Sequence, residues 1–91
     1  MNFQIEHRAD PGRFQTVVED HLCVVDYELD GGVMTITHTE VPPALEGRGI
    51  AAALIRAALA HARESDLKVR PLCSYARVYM QRHPETATLL A

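Results

Sequence analysis

The sequence predicts an α+β fold: a mostly antiparallel β-sheet with one long central helix and a short C-terminal helix. Three observations predict it. Four β-prone runs are separated by turn signals at Asp10-Pro11-Gly12, Glu19-Asp20-His21 and Asp30-Gly31-Gly32, the pattern of successive hairpins. After Pro42-Pro43 the apolar residues change from alternation to helical spacing. A further short strand and helix then complete the chain. With 91 residues, 47% of them hydrophobic, the chain is expected to form a single domain over 1–91, with a modest core because many apolar positions are alanine.

Phe3, Ile5 and His7 alternate with polar residues and predict a short first strand. Asp10-Pro11-Gly12 ends it in a turn. Arg13 to Val18 is the second strand and Leu22 to Leu29, rich in Val and Tyr, the third. Val33 to Val41 alternates. Val33, Thr35, Thr37, Thr39 and Val41 are expected on one face, and Met34, Ile36, His38 and Glu40 on the other. Pro42-Pro43 cannot continue a ladder and closes the strand. From Gly49 to about Glu64, Ile50, Leu54, Ala57 and Ala58, with the pair Ile55 and Leu59, form a broad apolar helical stripe. Leu67 to Leu72 is a strand broken at Pro71. Ser74 is the expected N-cap of a helix over Tyr75 to Arg82, stopped by Pro84. The tail from Glu85 to Ala91 is expected to fray.

Charge and composition narrow the function. Nine basic residues stand against twelve acidic, a net charge of −3, without the basic stripe of a nucleic-acid binder. No apolar run reaches membrane-span length, and Met1 to His7 lacks the character of a secretory leader. Cys23 and Cys73 are far apart, and without a leader they are expected to be reduced thiols in a cytoplasmic protein. His7, His21, His61 and His83 have no ligand spacing, and no Cys/His cluster implies a metal.

The segment from His38 to Leu54 carries the most chemistry. It runs from a strand through a double proline and the turn Glu46-Gly47-Arg48-Gly49 into a helix that begins Ile50-Ala51-Ala52. Glycines without a Cβ let backbone approach a ligand closely, and the helix start turns free N–H groups and a positive dipole end on the same point. That is an anion site suited to a pyrophosphate. It is not a Walker A loop, since no Gly-Lys-Ser/Thr comes after it, nor a dinucleotide fingerprint, since the third glycine is missing.

The turn resembles motif A of the GCN5-related N-acetyltransferases (GNAT), Gln/Arg-x-x-Gly-x-Gly/Ala, with Gly49 at the glycine position, Ala51 at the last small position, and Glu46 where the family has Gln or Arg. Thr39-Glu40-Val41-Pro42-Pro43, Pro71-Leu72-Cys73-Ser74-Tyr75 and Arg82-His83-Pro84-Glu85 are similar to one branch, the minimal, single-domain GNAT-like acetyl-CoA-binding family, over most of residues 14–85. The resemblance implies a GNAT-like fold shorter than most of its kind, lacking the elements that usually shape the acceptor site. It also implies acetyl-CoA as cosubstrate, with contacts from Val41, Gly47, Arg48, Gly49, Ile50, Ala51, Ala52, Cys73 and Ser74.

The same resemblance, for Val41 and Tyr79, and the placement of Cys73, Glu40 and His38 along the chain supply catalytic candidates. The Val41 N–H, at a strand that splays in this family, would hold the acetyl carbonyl. Cys73, just before a helix N-terminus where thiolate is favoured, would meet the acyl or thiol end of CoA, as a nucleophile in one version. Tyr79, in the run Ala76 to Tyr79, would protonate the leaving thiolate, with Tyr75 as runner-up. Glu40 or His38 would take the proton of an incoming amine. Each has a plainer alternative: packing glycines, a strand end, a small buried thiol, a core aromatic, solvated polar residues. The expected activity is acetyl transfer to an amine on a small molecule or protein by a monomer or weak homodimer, without nucleic-acid or membrane partners. The alternative is a non-catalytic acyl-CoA-binding module or sensor, and a structural domain without CoA affinity is a third reading.

Overall fold

The computed structural model describes residues 3–91; Met1 and Asn2, the first two residues of the segment weighed for leader character, lie outside them. Strands β1 (Glu6–Arg8), β2 (Arg13–Val18), β3 (His21–Asp30) and β4 (Val33–Glu40) form an antiparallel meander. Helix α1 (Ile50–Glu64) then returns the chain to β5 (Lys68–Pro71), which lies parallel to β4, and α2 (Ser74–Arg82) comes next. The sheet order is β1-β2-β3-β4-β5. A parallel neighbour needs a crossover of this kind, whereas the antiparallel pairs need only tight turns. The α+β class and the mostly antiparallel sheet predicted from the sequence are what the fold shows.

Both two-residue turns, Glu19-Asp20 and Gly31-Gly32, have φ between 51° and 78°, the left-handed pair that matches hairpin twist. Gly12 is required for a different reason. Its φ is 107°, its carbonyl accepts the Tyr27 N–H at 3.0 Å, and a Cβ there would stand 2.5 Å from the Tyr27 carbonyl oxygen.

The strict alternation expected along β4 fails at one residue. Asp26 pairs with His38 but Tyr27 pairs with Ile36, so Thr37 is an extra residue opposite β3. Its hydroxyl donates to the Asp26 carbonyl at 3.3 Å. Such a bulge bends its strand and reverses the facing of the residues beyond it. Met34 and Ile36 are therefore buried with Tyr27. Beyond the bulge Thr39, paired with the buried Val25, takes the inner face. His38 and Glu40, expected beside Met34 and Ile36, turn to the outer face with Asp26.

One core lies between the inner face and the helices. Cys23, Val25, Tyr27, Met34 and Ile36 meet Ile50, Leu54, Ile55, Ala58 and Ala62 of α1 and Ala76, Tyr79 and Met80 of α2. The outer face carries no helix among the described residues. It presents Val17 and Leu22 to solvent and the Arg13–Asp26 ion pair at 2.6 Å, which raises the Arg13 pKa. Burial pushes the Cys23 thiol and the Tyr27 phenol up. Both cysteines are free.

Three further expectations need correction. The first strand is Glu6–Arg8 rather than Phe3 to His7, because the pairing with β2 begins at Glu6–Gln15. The N-cap of α2 is Cys73, not Ser74: the Cys73 sulfur accepts the Ala76 N–H at 3.3 Å, and Ser74 is the first helical residue. The tail does not fray. Thr86 donates to the His83 carbonyl, Leu89 is buried, and Leu90 bridges to Val69 at the edge of β5.

Candidate active site

The site opens where β4 and β5 part. They pair from Val33–Lys68 to Ile36–Pro71. Pro71 has no N–H to extend the ladder, and the next two amides, Leu72 and Cys73, both donate to the single Ile36 carbonyl, at 3.0 and 3.1 Å. Past that point β4, bent by Thr37, has β3 on one side only. The parting leads into a cleft of about 440 Å³ lined by Thr39 and Val41 of the β4 end, Leu45, Glu46, Gly47 and Gly49 of the connecting loop, Ile50 and Ala51 of α1, and Tyr75 of α2.

The loop is shaped to present amides. Pro43–Leu45 forms one 3-10 turn anchored by the fully buried Leu45. Gly47 and Gly49 have φ of 83° and 79°, with open space where a Cβ would be. Gly49 is itself the N-cap of α1 and gives no side-chain cap. The amides of the first turn of α1 thus have no cap acceptor and face the cleft end, the ordinary starting point for anion binding.

The side chains divide. Arg48 turns away from the cleft and pairs with Glu19 of the β2–β3 turn. Glu46 lines the cleft and is unpaired among the described residues, so the backbone alone offers positive potential there. Ala52 is half-buried one residue beyond Ala51. The Cys73 sulfur lies 3.2 Å from the Thr39 hydroxyl, so a cleft-lining residue touches it directly. His38 Nε2 and Glu40 Oε1 are 3.0 Å apart and exposed on the outer face.

Tyr79 is not in the cleft. It is 8% exposed, stacked on His83 at 4.0 Å, one helical turn beyond Tyr75, and faces the core and the outer groove between the helices. Tyr75, the runner-up, occupies the cleft wall instead. Thr39 was not among the residues the sequence singled out. The bulge brings it to the inner face, and no regular alternation reveals a bulge. Among the described residues no three His, Cys, Asp or Glu cluster as metal ligands, and no helix is long and apolar enough to cross a membrane.

A meander whose fourth strand splays from a parallel fifth, with an uncapped glycine turn facing the gap, is the GNAT architecture. The chain belongs to the GCN5-related N-acetyl-transferase family, whose model matches residues 13–89. It is 41% identical to Protein NATD1 of Gallus gallus over 86 residues, 89% of this chain and 76% of that one. It is 40% identical to Protein NATD1 of Homo sapiens over 86 residues, 89% of this chain and 74% of that one. It also superimposes on the NMR solution structure of a GCN5-like protein from Staphylococcus aureus with a TM-score of 0.78 and 26% identity, covering 99% of this chain and 89% of that one.

Proposed function

We propose that the protein binds acetyl-CoA in this cleft and transfers the acetyl group to an amine. The observation that carries the reading is one opening bounded by Val41 at the splayed strand and by the Gly47–Gly49 turn at the start of α1. The pyrophosphate sits on the amides from Gly47 to Ala52, and the pantetheine arm runs toward the splay. The Val41 N–H, beyond the last β4 pair with β3, donates to the thioester oxygen as it becomes an oxyanion.

The splay also lets an acceptor approach from the outer face, where His38 and Glu40 stand. The amine nitrogen bonds to the carbonyl carbon, and its proton passes to Glu40 or His38. The carbon–sulfur bond breaks, and the CoA thiolate takes a proton from Tyr75. In the two-step variant the Cys73 sulfur attacks first, CoA leaves as the thiol, and the amine then displaces the acetyl group from Cys73. The exposure of His38 and Glu40 favours a second reading, an acyl-CoA-binding module without turnover.

Native and then denaturing mass spectrometry with acetyl-CoA, beside a thiol-release assay over a panel of amines, tests these. A noncovalent complex with amine-dependent thiol release is the expected result. An acetyl mass retained on Cys73 after denaturation selects the two-step variant. A complex without release under any amine establishes the binding module, and a folded protein that forms no complex overturns the CoA reading.

A further inference from the structure

β4 and β5 stop pairing at Ile36–Pro71, yet one side-chain contact crosses the gap beyond them. The Thr39 hydroxyl oxygen lies 3.2 Å from the Cys73 sulfur. Backbone holds both ends of this contact. Thr39 is paired with Val25 of β3, and a β-branched side chain on a strand has few χ1 choices. The Cys73 amide donates to the Ile36 carbonyl at 3.1 Å, and its sulfur caps α2 by accepting the Ala76 N–H at 3.3 Å. The fold itself therefore sets the contact.

For a threonine the partner is unusual. The hydroxyls of Thr16, Thr37 and Thr86 donate to backbone carbonyls, those of Gln4, Asp26 and His83. Among the described residues the Thr39 hydroxyl has only the Cys73 sulfur. A hydroxyl has one hydrogen to give and two lone pairs to receive. The sulfur already receives the Ala76 N–H, which leaves its own hydrogen free to go to the Thr39 oxygen. With the bond in that direction, the hydroxyl hydrogen has no acceptor among the described residues. It is left to the cleft, which Thr39 lines.

A thiol that displaces another thiol must lose a hydrogen as the departing sulfur gains one. Val41, whose N–H meets the thioester oxygen in the reading above, follows Thr39 by two residues, about 7 Å along an extended chain. The oxygen and the departing sulfur share one carbon, the carbon that Cys73 attacks. A carbon within reach of Cys73 thus brings the departing sulfur to the side of the cleft where Thr39 stands.

We propose that Thr39 is a catalytic residue of the two-step route, passing a proton from Cys73 to the departing CoA sulfur. The Cys73 sulfur bonds to the carbonyl carbon, and the bond from that carbon to the CoA sulfur breaks. In the same step the Thr39 oxygen takes the Cys73 hydrogen and gives its own hydrogen to the CoA sulfur. Acetyl-Cys73, the CoA thiol and an unchanged threonine result, and no other reactant is consumed. The inference rests on the two-step route above and adds to it the group that moves the proton.

Thr39→Val keeps the shape of the side chain and removes the hydroxyl, whereas Thr39→Ser keeps the hydroxyl. Three measurements compare them with the wild type, with circular dichroism to confirm folding and Thr39→Ala in reserve should the valine variant not fold. They are acetyl-CoA affinity by titration calorimetry, the rate at which acetyl-CoA without amine adds an acetyl mass to Cys73, and the rate at which iodoacetamide alkylates Cys73 in the ligand-free protein. Iodide departs without a proton, so alkylation needs no relay. Thr39→Val is expected to bind acetyl-CoA within about twofold of wild type and to be alkylated within about threefold, but to be acetylated about a hundredfold more slowly. Thr39→Ser is expected to recover most of the acetylation rate. Unchanged acetylation in Thr39→Val would remove Thr39 from the step. Equal slowing of acetylation and alkylation would mean that the hydroxyl only orients the sulfur. Either result overturns the relay and leaves the two-step route intact. A wild-type protein that binds acetyl-CoA but never carries acetyl on Cys73 would remove the two-step route and this inference with it. A folded wild-type protein that forms no complex would remove the CoA reading itself.

Discussion

From Val33 to Ile36, β4 has a strand on each side and sends Met34 and Ile36 into the core. From Thr37 to Glu40 it keeps β3 alone, its neighbour has gone, and the residues facing inward are Thr39 and then Val41, half-buried at the cleft. One strand thus serves as framework at one end and as cleft wall at the other. The change is made by a single additional residue. A bulge adds one residue and bends the strand; here the bend and the proline in β5 open the sheet at the same level. The cleft lies beside the most constrained stretch of the fold, and the constraint fixes where the opening falls.

The largest effect should come from the framework half. Ile36→Ala removes a fully buried side chain and is expected to cost about 3 kcal/mol, measured by urea denaturation, with acetyl-CoA affinity of the folded protein within about twofold of wild type. An affinity loss as large as the stability loss would mean that the two halves are not separable.

Deleting Thr37 tests the junction itself. Without it, Met34, Ile36, Thr39 and Val41 alternate regularly on the inner face, so the fold should survive with a thermal midpoint within a few degrees of wild type. The straightened strand should close the splay, and acetyl-CoA binding by titration calorimetry should weaken at least about tenfold. Binding at the wild-type level would show that Pro71 alone opens the sheet.

The smallest effect concerns the support of the framework half. Tyr27, the partner of Ile36 across the sheet, is hydrogen-bonded by its hydroxyl to His7 Nε2. His7 also stacks on Phe14 at 4.1 Å and meets His61 edge-on at 4.3 Å. Desolvation first, and then the charge of His61, lower the His7 pKa. The unfolded chain therefore binds the proton more readily. This contribution is complete above the ordinary histidine value of about 6.5 and is lost as pH falls through the lower folded value. The urea midpoint should drop modestly between pH 7 and 5, and less so in His7→Phe. An identical pH profile in the two proteins would clear His7 of the effect.

The hairpins and α1 were legible because their signals are local: turn residues at Asp30-Gly31-Gly32, apolar spacing from Ile50 to Leu59, prolines at both strand exits. The cleft turn was legible for the same reason. What the sequence hid was non-local. Thr37 is a bulge only because β3 withholds a partner, and that moved His38, Glu40 and Thr39 between faces. Tyr75 and Tyr79 sit on one helix, and only the packing of α2 on α1 decides that the first lines the cleft and the second the core. Arg48 is a plausible phosphate ligand until the β2–β3 turn supplies Glu19. The ordered tail depends on Thr86 and Leu89 finding β5 and α2, contacts that composition does not announce.

The sulfur of Cys73 ends one structure and begins another. It accepts the Ala76 N–H that starts α2 and touches the Thr39 hydroxyl at the cleft wall. A thiol sulfur is a weak acceptor, and an acyl group on it would draw its lone pair toward the carbonyl and away from the Ala76 N–H. An acyl group attached there would weaken the hold on the first turn of α2, and Tyr75 rides on that turn. The start of the helix would then differ, through Tyr75, between a bare sulfur and a burdened one.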